Sequence, residues 1–177
     1  MAPFGDGDAR LLIVGLAPGM HGANRSGRPF TGDHAGILLY ATLFKYGLAS
    51  AAVSIAADDG LELRAARITN AVKCLPPENK PMLAEIHNCN SYLHDEIRQS
   101  VTVRAILALG AIAHSSVLRA SGLKPGQHRF AHGAEHALGE GRVLLDSYHC
   151  SRYNTQTRRL TTAMFEAVVG RAVQLSQ

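Results

Sequence analysis

Four short, predominantly apolar runs set the terms for any fold this chain can take: Arg10–Leu16, Ala66–Val72, Val103–Leu109 and Arg142–Asp146. Runs of this length, with apolar residues side by side, are the pattern of strands buried on both faces. Longer stretches of helical spacing follow them, at roughly Asp33–Tyr46, Lys80–Gln99, Ala111–Ala120 and Thr155–Leu175. In the last of these, Leu160, Met164, Ala167, Val168 and Leu175 keep one face apolar. Strand and helix in alternation predict an α/β fold: three α/β/α layers around a central, mostly parallel, four-stranded sheet. A length of 177 residues fits one domain, and 46% apolar residues supply its core. Segments 47–65 and 121–141 read as loops, the second marked by Gly122, Pro125, Gly126 and Gly133.

Composition narrows the setting. No apolar run approaches the ~20 residues that cross a bilayer. The first residues, MAPFGDGDARLL, lack the basic-then-apolar order of a secretory signal. Three cysteines, an odd number, argue against a disulfide framework, so a reducing cytoplasmic setting is expected. A net charge of +4 leans towards an anionic partner without naming one, and nine histidines add charge in mild acid.

Ligands of α/β proteins collect at the carboxyl ends of strands, and here those ends carry unusual residues. The first run breaks at Ala17-Pro18-Gly19 into GLAPGMHGANRSGRPFTGD. The second leads into TNAVKCLPPENKP, and the fourth into SYHCSRYNTQTRRLT. A single pocket built from three strand ends is the economical reading. Gly15–Gly19 allows close approach of a ligand to backbone, yet no lysine and serine or threonine pair follows to make a phosphate loop. Asp33 reads equally as a helix N-cap and as a catalytic carboxylate. Asn70 lies in a strand, where an unpaired amide is costly, so it either satisfies nearby backbone or reads a ligand. Phe30 is a stacking surface or a core residue. His149, between Tyr148 and Cys150, is structural or catalytic. Arg158 and Arg159 open a helix whose dipole they oppose. His21, His34, His132, His136 and His149 match no zinc spacing, and Cys150 beside His149 is a poor candidate nucleophile, because such pairs act through space rather than as neighbours.

The three stretches, in that order, together with Phe130-Ala131-His132-Gly133, resemble the uracil-DNA glycosylase superfamily over about Arg10 to Thr161. The type 5 (family 5, type B) pattern fits better than the related type 4. The resemblance implies hydrolysis of the N-glycosidic bond of uracil in DNA, in base excision repair, by a monofunctional enzyme acting as a monomer. It implies that His149 stabilises the departing base and that Asp33 assists the sugar cation or water, since Ala17 stands where other branches carry an acid or amide. Asn70 would read the uracil edge, Phe30 would stack on the base, and Gly15, Leu16, Ala17, Pro18 and Gly19 would floor the site. Ser151, Arg152, Tyr153, Asn154 and Arg158 would contact DNA, and His132 would support the site from behind. It also implies a [4Fe–4S] cluster, for which Cys74 and Cys89 match one pair of ligands. The expected domain lacks the family's N-terminal cysteine-bearing extension, so only half of the ligand set is present. Cys150 is expected as a substitution in the pocket loop. Two other readings remain: a DNA- or nucleotide-binding protein that kept the pocket without catalysis, and a relative preferring hypoxanthine or xanthine.

Overall fold

The computed structural model describes residues 1–177. Four parallel strands form the centre of the sheet: β2 (Leu11–Gly15), β3 (Ala66–Asn70), β4 (Ala105–Leu109) and β6 (Arg142–Ser147). Two antiparallel edge strands extend it, β1 (Phe4–Gly5) beside β3 and β5 (Glu135–Gly139) beside β6, giving the order β1-β3-β2-β4-β6-β5. The sheet therefore has six strands rather than the four expected. The segment expected to be loop at 121–141 contains β5, whose residues alternate between exposed and half-buried and so present no apolar run.

Alternation along each central strand divides the core in two, as successive side chains leave opposite faces. Leu11, Ile13, Leu107 and Leu145 pack beneath α2 (His34–Lys45) and α6 (Thr162–Leu175). Leu12, Val14, Ile106 and Leu144 pack beneath α3 (Leu83–Gln99) and α4 (Ala111–Ala120). This is the expected three-layer sandwich. Helix α3 starts three residues later than the spacing predicts, after Pro81, where the Glu85 carboxylate accepts the Met82 N–H at 2.7 Å.

The helix expected over Thr155–Leu175 is two helices. A short α5 (Arg152–Gln156) ends in a turn in which Arg158 takes a left-handed φ of 58°, and α6 starts afresh. The Thr161 hydroxyl caps it by accepting the Met164 N–H at 3.2 Å. Leu160 is buried in the turn itself, which is why the apolar pattern ran unbroken across it. Arg158 and Arg159 thus sit in a turn and oppose no helix dipole.

The chain leaves β2 for β3 on one side of the sheet and leaves β4 for β6 on the other. The carboxyl ends of the strands about this reversal open a crevice.

Candidate active site

Backbone pairing carries β2 and β3 side by side past their ends: Ala71 N–H donates to the Gly15 carbonyl and Val72 N–H to that of Leu16, both at 2.9 Å. Asn70 is thereby fixed against Gly15, where an added Cβ would lie 2.5 Å from Asn70 Oδ1 and 2.6 Å from Phe30 Cζ. Only hydrogen fits between that strand and those two side chains. Asn70 is buried, its Nδ2 lies 3.7 Å from the Met1 sulfur, and its Oδ1 has no hydrogen-bond partner.

Phe30 holds a left-handed φ of 59°, a strained conformation for a residue with a bulky side chain. Its neighbours over-determine it. Tyr40 Oη donates to the Pro29 carbonyl at 2.7 Å, and buried Arg28 donates to Asp59 at 2.7 Å and to the Ala57 carbonyl at 2.6 Å. The bare Cα of Gly36 makes room for the Phe30 carbonyl. The ring is turned towards His149, with centroids 6.1 Å apart and planes 29° apart.

Asp33 occupies the N-cap position of α2, but its side chain caps nothing in that helix. It turns back instead and accepts the Ala23 N–H at 3.0 Å, at the start of the short helix α1 (Ala23–Ser26). Gly19 and Gly22 lie directly against the carboxylate, and a Cβ at either would strike it. Burial raises the Asp33 pKa above the ordinary value, and the Ala23 N–H works against that rise.

His149 follows β6 by two residues. Asn154 Nδ2 donates to its carbonyl at 2.8 Å, which fixes the backbone and leaves the ring at the cavity wall. Desolvation pushes the imidazole down to about 4, so it is neutral at physiological pH. Cys150, next along, points the other way into the core beneath α2 and α6. It belongs to the pocket loop by position but its side chain lines none of the cavity, and burial pushes its thiol up to about 12, which removes it as a nucleophile.

These groups enclose one cavity of about 530 Å³, lined by Leu16, Ala17, Pro18, Gly19, Phe30, Asp33, Asn70, His149, Ser151 and Arg152 among the expected residues. Gly15 lies beneath it. The sequence missed Met20, His34, Ala35 and Asn79 and assigned no role to His21, all of which line the same space. Asn79 takes a left-handed φ of 57°, and its side-chain oxygen accepts the Met20 N–H at 3.3 Å, so the Pro76–Lys80 loop closes one side. His34 pairs with Thr155 Oγ1 at 3.2 Å, tying α2 to α5. The expected DNA-contact residues divide. Ser151 and Arg152 reach the cavity, Tyr153 is 70% exposed outside it, Asn154 serves His149, and Arg158 lies in the turn beyond. His132 stands behind the site: its Nδ1 accepts the Tyr148 N–H at 3.2 Å, its ring stacks with that of Tyr148, and the Arg159 guanidinium also lies over the Tyr148 ring. The five histidines considered as metal ligands do not come together; His21, His34 and His149 line the cavity, and His136 is elsewhere.

A doubly wound sheet whose strand ends wall a small pocket with an amide, a carboxylate and a neutral imidazole has a recognised counterpart. The model of the family described as the uracil-DNA glycosylase superfamily matches residues 2–172, and the chain belongs to that superfamily. Within it, the chain is 48% identical to the type-5 uracil-DNA glycosylase of Thermus thermophilus over 173 residues, 98% of this chain and 78% of that one. It is 44% identical to the type-5 uracil-DNA glycosylase of Pyrobaculum aerophilum, over 96% of this chain and 74% of that one. A type-4 uracil-DNA glycosylase from the same organism matches at 36% over 67% of this chain and 54% of its own length. The type-5 pattern is therefore the better fit, as expected.

Proposed function

We propose that this protein is a monofunctional glycosylase that flips uracil out of DNA and hydrolyses its N-glycosidic bond, leaving an abasic site. The observation that carries the reading is the buried, unpartnered Oδ1 of Asn70 at the wall of the cavity. A buried polar atom without a partner calls for a ligand, and an amide offers the acceptor and donor that match the N3–H and O4 edge of uracil. Cytosine presents the reverse pattern. Phe30 supplies the stacking face. The His149 N–H donates to the base oxygen on which negative charge grows, and a neutral ring does so without needing a proton from solvent. The Asp33 carboxylate faces the cationic sugar and orients water. Arg152 and Ser151 hold phosphates at the rim, and Tyr153 wedges into the duplex, offsetting the few kcal/mol of unstacking. The enzyme works as a monomer in the cytoplasm, and no helix is long and apolar enough to cross a membrane.

A four-iron cluster takes four thiolates. Within these residues Cys74 is exposed, Cys89 is half-buried and Cys150 is sealed in the core. Two accessible thiols do not make the donor set, so no step of the reaction is assigned to a cluster.

The test is base release from oligonucleotides carrying one uracil, hypoxanthine or xanthine, followed by alkali. Strand cleavage only after alkali is the expected result, with uracil the preferred base and with activity lowered about 100-fold or more in His149→Ala and Asn70→Ala. Retained binding without base release would favour the alternative of a DNA-binding protein. Release of hypoxanthine or xanthine in preference to uracil would revise the substrate.

A further inference from the structure

A second cluster of ligating side chains lies outside the cavity. His114 on α4, His136 on β5 and Asp146 on β6 bring their donor atoms within 4.8 Å of one another. Asp146 is fully buried and bridges the two rings, with Oδ1 at 2.8 Å from His114 Nδ1 and Oδ2 at 3.0 Å from His136 Nε2. The other nitrogen of His114, Nε2, meets the His128 carbonyl at 3.0 Å. The His128 ring packs edge-on against His136, with centroids 5.6 Å apart. None of these residues lines the base cavity, and the reaction proposed above uses none of them.

Both nitrogens of His114 thus face oxygen acceptors. A carbonyl has only lone pairs to offer, so Nε2 carries a hydrogen, and a neutral imidazole then has none for Nδ1. The contact between Nδ1 and the buried carboxylate needs a cation between them, either an additional proton or a metal ion. We propose that it is a zinc ion, held by His114 Nδ1, His136 Nε2 and an Asp146 oxygen, with water as the fourth ligand. The donor set is one that zinc takes readily, and a ligating imidazole characteristically donates its far N–H to a backbone carbonyl, as His114 does to His128. Two bonds of about 2.0–2.1 Å at a tetrahedral angle place donor atoms about 3.3 Å apart. The His114 bridge to Oδ1, at 2.8 Å, needs to widen by about half an ångström, while His136 Nε2, which bonds the other carboxylate oxygen, closes in from within 4.8 Å. On binding, the ion replaces the hydrogen between His114 Nδ1 and Asp146, which leaves for solvent, and the His136 hydrogen moves from Nε2 to Nδ1. The ion would clamp α4 to the β5–β6 hairpin, three residues before His149.

The test is to strip the full chain with chelator under reducing conditions and titrate it with zinc sulfate. Expected are one zinc per chain, a rise in Tm, and a zinc-edge X-ray absorption spectrum with nitrogen and oxygen neighbours at about 2.0–2.1 Å rather than sulfur at about 2.3 Å. His136→Gln, at a partly exposed position where the amide can still donate to Asp146, should keep its circular dichroism and lose zinc affinity by at least about 100-fold. A sulfur shell would assign any bound zinc to Cys74 and Cys89 and overturn the proposal. So would full zinc retention by His136→Gln, or a chain that takes up no zinc at micromolar concentrations of free metal.

Discussion

Burial disfavours the charged forms of both Asp33 and His149 at the cavity, and so moves their pKa values in opposite directions. It keeps His149 neutral, with a pKa of about 4, and it makes the Asp33 carboxylate harder to ionise. Protonation of His149 should therefore make no limb in the ordinary histidine range, and the acid limb of base release against pH in the wild type should reflect Asp33 and His149 together. Asp33→Asn should lower turnover about 100-fold or more while raising Tm by a few degrees, because a desolvated carboxylate costs stability and an amide can still accept the Ala23 N–H; loss of stability in this variant would contradict that account. The sign for His149 is the reverse. Its folded pKa lies below the unfolded value of 6.5, so the folded state binds fewer protons. Stability from this source is undiminished above pH 6.5 and falls as pH drops towards 4. Chemical denaturation of wild type and His149→Ala across that window should show the variant losing less stability on acidification.

At the scale of elements, what could be read from the sequence divides by how burial is patterned. The strands β2, β3, β4 and β6 were legible because they are covered on both faces and need apolar residues in succession. The edge strand β5 was not, since Glu135, Ala137 and Gly139 face solvent and only His136 and Leu138 are half-buried. Thr155–Leu175 read as one helix because Leu160 belongs to the core although its backbone is a turn. Asn70, Phe30, Asp33 and His149 were legible as a group through the motifs at three strand ends. Asn79 and His34 were missed because loop closure and the α2–α5 contact, rather than any local pattern, bring them to the cavity. The glycines of the first loop carry a prediction of their own. Gly19 packs on the Asp33 side chain, where a Cβ would lie 2.7 Å from Oδ1, so Gly19→Ala must displace the carboxylate. It should cost at least about tenfold in turnover through misplacement of that group with little change in the melting temperature, which steady-state kinetics beside a thermal melt would separate.

Over the whole molecule, an excess of four positive charges meets a polyanion, and Arg152 stands at the mouth of the cavity. KM for a uracil-bearing oligonucleotide should rise steeply with salt while kcat holds, and Arg152→Ala should weaken binding and reduce the logarithmic salt slope by about one. A kcat that falls with salt while KM rises would place ionic contacts in the chemical step as well. The split between α5 and α6 has a mechanical consequence. Helix α6 is anchored in the core, while the five residues of α5 hang between Ser151 and the Arg158 turn. Asn154 hooks that short segment to the carbonyl of His149, and Thr155 hooks it to His34. On the proposed mechanism, a load placed on α5 by a bound duplex reaches His149 both along the backbone through Ser151 and Cys150 and through the Asn154 hydrogen bond. The part that would feel DNA and the part that would meet the base are then coupled through one short segment that the core grips at both ends, at Cys150 and at Leu160.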